Sequence, residues 1–358
     1  MEFGILGLEL SGKTTLFSLL TGHTTAATPH KREAHVGIAH VPDPRLDRLT
    51  EMFKPKKETP ATVRFVDVPA VTKGGGQSLN LPELRPMDGL AVVVRGFASE
   101  AVPHPEGSID PARDLELLET EMLLADLQIV MNRLERVTRD LAKKKSPELE
   151  TEKAVLTRYK AVLEKGEALR DLETSPEEQK LVRGFGLLSA KPLLVILNAD
   201  ETDAADLPGA VARARFDRWA GKPRVRFSAV SAPIEQEIAA MSAADQVEFL
   251  KGLGLPDRAV GRLLRAAYDL LGLVSFLTVG EDECRAWSVP RGTHAVKAAG
   301  VIHTDFERTF IRAEVVPFEK LMEAGSLAAC RAQGSLRLEG KDYVVEDGDV
   351  INFRAGAA

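Results

Sequence analysis

The sequence predicts an α/β protein that combines a parallel sheet, an inserted helical hairpin and a smaller α+β module at the carboxyl end. Strand-like and helix-like runs alternate through residues 1–100, as they do in parallel sheets. Helical periodicity then extends from about residue 114 to residue 184. Short strand-like runs separated by turn residues occupy residues 274–358.

The parallel sheet is predicted from a series of short apolar runs along the first two thirds of the chain. These runs comprise residues 2–6, 63–68, 90–95, 190–198 and 225–229. Polar residues stand near the carboxyl ends of three of them, namely Asp67, Asn198 and Ser228. Ligands of doubly wound sheets bind at such ends, so we expect a binding site there.

The helical insertion is predicted from apolar residues that recur at spacings of four and three. These residues are Leu123, Leu127, Val130, Leu134, Val137 and Leu141. Ser146-Pro147 interrupts the pattern, which resumes from Thr151 to Leu172, so we expect a coiled-coil-like hairpin. Its first arm carries Arg133, Arg136, Arg139, Lys143, Lys144 and Lys145. These basic residues form either a solvated helix face or a basic finger for RNA or a ribosomal surface.

The carboxyl-terminal module is predicted from two hairpin signals. Residues 275–279 and 285–289 are strand-like on either side of a turn sequence. Residues 343–345 and 350–353 flank the turn sequence Glu-Asp-Gly-Asp, which predicts a second hairpin. A small α+β module with a mostly antiparallel sheet is therefore expected.

The composition is that of an ordinary globular protein, with 44% hydrophobic and 28% charged residues among 358. The net charge of −6 restricts any RNA contact to a local basic patch. Two cysteines, Cys284 and Cys330, are too few for a disulfide framework or a zinc cluster, which indicates free thiols in a reducing compartment. The sequence shows neither a transmembrane-length apolar run nor a signal peptide, so a cytoplasmic protein without membrane contacts is expected.

Residues 7–14 match the phosphate-loop pattern G-x-x-x-x-G-K-[ST]. In this pattern the glycines allow a tight turn whose N–H groups face phosphate oxygens. Lys13 would reach the β- and γ-phosphates, and the Thr14 hydroxyl would bind Mg²⁺. A strand precedes the motif and a helix follows it, which favours a nucleotide site over a chance glycine-rich turn.

Two further elements resemble the switch and base motifs of guanine-nucleotide proteins. Asp67 takes the place of the D-x-x-G aspartate, which holds Mg²⁺ through water, and Ala70 replaces the glycine of that motif. Alanine tolerates fewer backbone conformations than glycine, so switching should be stiffer. Ser228-Ala229 resembles the S-A element whose small residues let a loop approach the base.

The base-recognition motif departs from the guanine-specific N-K-x-D pattern. It is Asn198-Ala199-Asp200-Glu201, so alanine replaces the stacking lysine and Glu201 replaces the aspartate that binds guanine. Asp200 could serve as another guanine contact, although it lies one residue early. Guanine selectivity should therefore be weakened, and adenine, whose edge offers different donors and acceptors, becomes plausible.

Long runs elsewhere are more specific than the phosphate loop. They comprise residues 41–47, 104–111, 298–307, 310–315, 338–343 and 347–350. In these runs and in the base motif, the sequence resembles the YchF/Obg-like ATPase family over nearly all of its length. The resemblance implies a P-loop nucleoside triphosphatase domain of the G-protein type at residues 1–115 and 185–273. It also implies an inserted coiled-coil domain at 116–184 and a ubiquitin-like TGS domain at 274–358.

The resemblance further implies slow, Mg²⁺-dependent hydrolysis of ATP in preference to GTP by a switch associated with the large ribosomal subunit. A monomer is expected. From the motifs and the resemblance together, the candidate nucleotide-binding residues are Gly7, Leu10, Ser11, Gly12, Lys13, Thr14, Thr15, Asn198, Ala199, Glu201, Ser228 and Ala229, with Thr14 and Asp67 at the metal. Lys13 and His104 are the implied catalytic residues, and an ordinary surface histidine is the alternative for His104. Val71 fits the apolar residue that replaces a water-positioning glutamine in the family.

The sequence departs from the family mainly in the nucleotide site. Glu9-Leu10-Ser11 replaces the usual P-N-V of the phosphate loop, and Thr28 to Glu33, with Lys31, replaces a segment that supplies a second metal hydroxyl. Three hypotheses follow: an ATP-preferring triphosphatase, a divergent paralogue that binds nucleotide and ribosomal RNA with little hydrolysis, and an ordinary GTPase. Glu201 and Ala199 disfavour the third, whereas Ala70 and the altered 28–33 segment favour the second.

Overall fold

A computed structural model describes residues 1–22, 35–69, 81–255 and 257–356. The chain divides into two compact units. The first unit comprises Met1–Ala39 and Arg64–Ala266, and the second comprises His40–Val63 and Ala267–Ala358. Residues 40–63 thus belong to the second unit, whereas the sequence analysis placed them in the nucleotide domain.

The strands of the described residues are, in chain order, β1 (Glu2–Gly7), β2 (His35–His40), β3 (Lys57–Thr59), β4 (Thr62–Asp67), β5 (Gly89–Gly96), β6 (Leu193–Ala199), β7 (Val225–Val230), β8 (Leu273–Thr278), β9 (Glu283–Pro290), β10 (Phe310–Pro317), β11 (Arg337–Glu339) and β12 (Asp349–Ala355). The α-helices are α1 (Lys13–Thr21), α2 (Pro44–Phe53), α3 (Leu81–Leu84), α4 (Pro111–Lys143), α5 (Pro147–Glu164), α6 (Pro176–Val182), α7 (Leu207–Arg213), α8 (Ala232–Ala240), α9 (Ala243–Gly252), α10 (Ala259–Leu270), α11 (Ala295–Ile302), α12 (Thr304–Arg308), α13 (Phe318–Ala324) and α14 (Leu327–Ala332). Short 3₁₀ helices cover Leu169–Asp171, Arg183–Phe185 and Glu201–Asp206.

The first unit is built on a six-stranded sheet with the order β2-β4-β1-β5-β6-β7. Strand β1 pairs in parallel with β4 and β5, and β6 pairs in parallel with β5 and β7. Residues Leu90 to Val94 of β5 and Leu193 to Ile196 of β6 are almost completely buried, as continuous apolar strands in a covered parallel sheet should be. The predicted α/β class and its parallel sheet are confirmed.

The predicted helical hairpin is also confirmed, although its arms differ in length from the prediction. Helix α4 has 33 residues and begins earlier than expected, because Asp110 caps it by accepting a hydrogen bond from the N–H of Arg113. Helix α5 ends at Glu164, where Gly166 takes a left-handed backbone conformation, so the helix does not extend to residue 172. The seam between the arms is apolar and includes Leu123, Val130, Val137, Val155, Leu156 and Tyr159.

Two buried carboxylates on α4 hold the hairpin to the rest of the first unit. Asp126 accepts hydrogen bonds from the N–H groups of Leu188 and Ser189, at 3.0 and 2.7 Å, and from the Ser189 hydroxyl. Burial raises the pKa of this carboxyl, and those hydrogen bonds offset part of the effect. Glu119 accepts from the guanidinium of Arg170 and from the indole N–H of Trp219.

The second unit contains a six-stranded sheet with the order β11-β10-β12-β8-β9-β3. The pairs β10–β11, β10–β12 and β8–β9 are antiparallel, whereas β12–β8 and β3–β9 are parallel. The predicted mostly antiparallel sheet is therefore confirmed. Helix α11 covers one face, where Ala295, Ala298 and Ala299 share a buried cluster with Ala313, Val315 and Ile351.

The predicted hairpin between residues 343–345 and 350–353 is wrong. Residue Val344 makes only an isolated bridge to His294, and β12 pairs with β10 and β8 instead. The carboxylate of Asp349 explains the difference, because it accepts hydrogen bonds from the Tyr343 hydroxyl and from the N–H of Glu346. These bonds fold the segment into a compact turn, so the preceding residues do not lie beside β12.

In the described ranges, no helix has both the length and the apolar character required to cross a bilayer. Both cysteines are buried and free, as the sequence analysis expected of thiols outside a disulfide framework.

Replacing Asp126 by asparagine should destabilise the first unit by about 2–4 kcal/mol, because an amide would direct its own N–H groups at the donors that now surround the carboxylate. The measurement is urea unfolding followed by circular dichroism. Glu121→Gln, on an exposed position of the same helix, is the matched control and should leave the midpoint unchanged. Equal midpoints for the two variants would show that Asp126 does not anchor the helix.

Candidate functional site

The predicted phosphate loop connects β1 to α1 and has an unusual backbone. Gly12 has a φ of 86° and Leu10 a φ of 62°, both in the left-handed region. Glycine adopts this region without strain, whereas the Cβ of a leucine makes it unfavourable. The N–H of Leu16 donates to the carbonyl of Gly12 at 2.9 Å, which begins α1 directly behind the loop.

Close packing explains both glycines that the motif requires. A Cβ on Gly7 would lie 2.7 Å from the carbonyl oxygen of Val93 in the neighbouring strand β5. A Cβ on Gly12 would lie only 2.1 Å from Nδ2 of Asn198. Any larger residue would force these elements apart, so the glycines keep the loop against the sheet.

The charged centre of the site joins Lys13, Thr14 and Asp67. Lys13 is 6% exposed, and its Nζ donates to Oδ1 of Asp67 and to the carbonyl oxygen of Val68. The Thr14 hydroxyl lies 3.4 Å from Oδ2 of the same carboxylate. The three predicted residues therefore lie together at the carboxyl ends of β1 and β4, as the parallel sheet predicts.

The residues of this centre fit a magnesium ion. Mg²⁺ prefers hard oxygen ligands and is usually held by one or two protein groups, with phosphate oxygens and waters completing its shell. The Thr14 hydroxyl and the Asp67 carboxylate supply such oxygens within one hydrogen-bond distance of each other.

Asn198 joins the phosphate loop to the loop that precedes α8. Its Nδ2 donates to the carbonyl of Ser11 at 3.0 Å, and its Oδ1 accepts from the N–H of Ala232 at 3.2 Å. The second bond caps the first turn of α8, where the Ser231 hydroxyl makes no capping bond. Asn198 is buried, so its side chain connects two loops of the site.

The three residues after Asn198 differ in their surroundings. Ala199 is buried at the end of β6, whereas Glu201 is exposed at the start of a 3₁₀ helix. Asp200 caps that helix by accepting from the N–H and the hydroxyl of Thr202, at 3.1 and 2.9 Å. These hydrogen bonds hold the pKa of Asp200 below its usual range, and they direct its carboxylate into its own loop.

The structure places the Ser228-Ala229 pair differently from the prediction. Strand β7 continues to Val230, and Ser228 pairs with Ile196 inside the sheet rather than standing at the strand end. Ser231 and Ala232 stand at that end, beside Asn198. This second pair was not predicted from the sequence, although the proline that follows it at the start of α8 is a helix-start signal that distinguishes the two pairs.

His104 lies in the segment between β5 and α4, and both of its ring nitrogens are engaged. Nδ1 accepts from the N–H of Glu106 at 3.1 Å, so Nε2 carries the proton that it donates to Oδ2 of Asp114 at 2.9 Å. The imidazole is only 5% exposed, which differs from an ordinary surface histidine. Asp114 also binds the guanidinium of Arg113.

Arg95 holds the same segment from inside the sheet. Its guanidinium donates to the carbonyls of Phe97 and Val102, at 3.1 and 2.7 Å. The side chain is buried, and desolvation lowers the pKa of its guanidinium. Neither Arg95 nor Asp114 was predicted as a site residue, because neither stands in a recognisable motif.

Several residues of the sequence analysis lie outside the described part of the chain. These residues are Thr28, Lys31, Ala70 and Val71. The divergent residues Glu9 and Leu10 are described, and both are exposed. Glu9 therefore lies on the outer side of the phosphate loop.

The parallel sheet, the glycine-dependent loop and the Lys13, Thr14 and Asp67 centre define a P-loop protein of the G-protein type. Comparison with known proteins agrees. Ribosome-binding ATPase YchF of Bacillus subtilis is 40% identical over 359 residues that cover 98% of each chain. The protein of that name from Escherichia coli O157:H7 is 38% identical with the same coverage. The chain belongs to the YchF/Obg-like ATPase family.

Two further relatives match nearly the whole chain, and a family model matches its carboxyl-terminal part. A solved structure described as the Schizosaccharomyces pombe YchF GTPase matches with a TM-score of 0.85 and 28% identity, over 99% of this chain and 97% of that one. Obg-like ATPase 1 of Oryza sativa subsp. japonica is 33% identical, over 99% of this chain and 92% of the relative. Residues 273–356 match the family YchF-GTPase_C, described as "Protein of unknown function (DUF933)".

Replacing Leu10 by asparagine should stabilise the protein by about 1 kcal/mol, because asparagine tolerates the left-handed conformation that strains a leucine. Leu10 is 51% exposed, so little buried surface is lost. Leu10→Ala keeps the Cβ and its strain and is the matched control. Urea unfolding without nucleotide gives the comparison, and an asparagine variant no more stable than the alanine variant would contradict the expectation.

Proposed function

We propose that the protein is an ATP-preferring triphosphatase that hydrolyses ATP slowly and acts as a regulatory switch on the large ribosomal subunit. The observation that supports this most directly is the joining of Lys13, Thr14 and Asp67 beside the phosphate loop. The curated relatives from B. subtilis and E. coli carry the name ribosome-binding ATPase, which agrees with it.

Binding of the triphosphate rests on the loop and on Lys13. The loop residues Leu10 to Thr15 would present N–H groups to phosphate oxygens. Lys13 would leave Asp67 and donate its hydrogen bonds to the β- and γ-phosphates. Thr14 and Asp67 would hold Mg²⁺, which supplies charge neutralisation at the phosphates when it is bound. Lys13 releases Asp67 in this step, so the same residue pairs with a carboxylate or with a phosphate.

Base selection depends on the loop after β6. An exposed Glu201 and a buried Ala199 do not reproduce the carboxylate and stacking lysine that guanine requires. Asp200 is committed to Thr202 and is poorly placed to replace them. Asn198 contributes by binding the Ser11 carbonyl. Ser231 and Ala232 follow the end of β7 beside Asn198, so their backbone would approach the base together with, or in place of, Ser228 and Ala229. These features favour adenine.

Hydrolysis depends on how water is oriented at the γ-phosphate. The family resemblance assigns His104 to this step, and its ring is bound to Asp114 and Glu106. To contact the reacting water, the segment around His104 would have to release Asp114, which supports a slow reaction. The same observation favours the second candidate function, a divergent protein that binds nucleotide and ribosomal RNA with little hydrolysis.

Association with the ribosome is assigned to the tip of the helical hairpin. Arg133 and Arg139 on α4 are paired with glutamates. Lys143, whose Nζ lies 3.7 Å from Oδ1 of Asp140, is exposed near the turn together with Lys144 and Lys145. An exposed lysine cluster at the end of a long helical arm suits the phosphate backbone of ribosomal RNA. We also infer a cytoplasmic monomer, in agreement with the ribosomal role.

The hydrolysis proposal is tested by single-turnover assays with Mg-ATP and Mg-GTP. We expect slow release of phosphate from ATP, less from GTP, and about 100-fold weaker nucleotide binding by Lys13→Ala, since a charge-assisted bond of about 3 kcal/mol is lost. Tight ATP binding with no turnover above background would select the binding-only candidate. A preference for GTP would refute the base assignment, and full affinity of the Lys13 variant would refute the phosphate-loop role.

The ribosome proposal is tested by changing Lys143, Lys144 and Lys145 together to glutamate. Reversing three exposed charges should weaken co-sedimentation with large subunits at least tenfold, and the parent protein should show a steep dependence on salt. The control is a triple change to arginine, which keeps the charge. Equal sedimentation of the glutamate variant and the parent would exclude the hairpin tip as the contact.

A further inference from the structure

One face of the second sheet carries a group of exposed arginines. Because β10 pairs with β12 in the register Arg312↔Arg354 and Glu314↔Asn352, these four residues project from the same side of the sheet. That side lies opposite the one covered by α11, since Ala313 and Val315 point into the α11 cluster. Arg331 of α14 reaches the same place. We call the group formed by Arg312, Glu314, Arg331, Asn352 and Arg354 the arginine face.

The buried carboxylate of Glu314 binds three side chains of the arginine face. It is 6% exposed, and its Oε1 accepts from Arg354 and, at 3.1 Å, from Arg331. Its Oε2 accepts from Nδ2 of Asn352 at 3.0 Å. Burial opposes the charged form, yet these donors together hold the pKa of Glu314 below its usual range. One buried carboxylate therefore fixes two guanidinium groups in place.

The two fixed guanidinium groups remain available to a ligand. The side chains of Arg331 and Arg354 are 61% and 55% exposed although both touch Glu314. A guanidinium has five N–H donors, so one carboxylate contact leaves several free to face outwards. Side chains held in this way lose less freedom when a ligand binds, which favours binding.

The arginine face has an excess of positive charge that folding does not need. Arg312 is exposed and, within the described ranges, has neither a side-chain hydrogen bond nor an ion pair. It stands directly opposite Arg354, and like charges opposite each other in a sheet are unfavourable. Three arginines against one glutamate leave a local charge of +2 on a chain whose net charge is −6.

We propose that the arginine face binds the phosphate backbone of RNA. This deepens the proposed ribosome association and rests on it, because it adds a second RNA contact on the carboxyl-terminal unit. Guanidinium groups match phosphate oxygens in pairs of parallel hydrogen bonds. The exposed and open sheet surface suits a polymer, and Leu338, 60% exposed and paired across from Glu314, offers an apolar contact for a sugar or base.

The test uses the full chain and a short fluorescein-labelled single-stranded RNA, followed by fluorescence anisotropy. Arg312→Gln should weaken binding about fivefold at about 0.1 M salt and lower the slope of log affinity against log salt by about 0.7. Arg312→Gln with Arg354→Gln should weaken it about 25-fold and lower the slope by about 1.4. The single variant removes no folding contact, so its thermal midpoint should not fall.

Arg291→Gln is the matched control, because Arg291 is an exposed arginine of the same unit outside the arginine face. It should bind RNA as the parent does. Parent-like affinity and salt slope in Arg312→Gln would overturn the proposal, as would undetectable RNA binding by the parent. Labelled polyglutamate bound by the parent but not by Arg312→Gln, with RNA binding unchanged, would overturn it in favour of an acidic protein partner. Nucleotide binding by each variant, measured in parallel, separates this outcome from a failure of the triphosphatase proposal.

Discussion

The side-chain amide of Asn198 holds together the loops on which the site depends. Its two ends bind the carbonyl of Ser11 and the N–H of Ala232, so one residue on β6 positions both the phosphate loop and the start of α8. The contact is possible only because Gly12 has no Cβ, since that atom would overlap the amide. The register of β6 beside β5 therefore determines where the phosphate loop lies. Ser11 and Asn198, which are 187 positions apart in the chain, thus belong to one structural unit.

Charge balance is the second constraint on the first unit. Lys13 and Asp67 are both nearly inaccessible to solvent. Each neutralises the charge of the other, and burying either charge without its partner would be costly. The same logic applies to Glu119 with Arg170. Arg95 is different, because backbone carbonyls replace a carboxylate partner. Among the described residues, one nitrogen of Arg95 and one of Arg170 are buried without an acceptor. The buried Arg95 guanidinium therefore binds the carbonyls of Phe97 and Val102 at a cost in desolvation.

Much of the fold could be predicted from the pattern of apolar residues within each element, whereas the contacts of the site depend on residues that are far apart in the chain. Apolar runs predicted the strands of the first sheet, and spacings of four and three predicted the hairpin, because both signals arise from burial of a single element. The turn before β12 could not be predicted, since it depends on one carboxylate that binds Tyr343 and Glu346. The phosphate-loop residues were predictable from their motif, but the partners of His104 were not, because Asp114 belongs to the next helix. The sequence did not show whether Ser228 or Ser231 stands at the end of β7, because the pairing of β7 with β6 sets where the strand ends.

Helix α4 starts within the segment that contains His104 and continues without interruption for 33 residues. At a rise of about 1.5 Å per residue it is about 50 Å long, so a tilt of about 0.1 radian at its base would displace the far end by about 5 Å. The hydrogen bond between His104 and Asp114 lies near that base, where movement is smallest. A small tilt of α4 at its base would thus become a displacement of about 5 Å at the lysine tip.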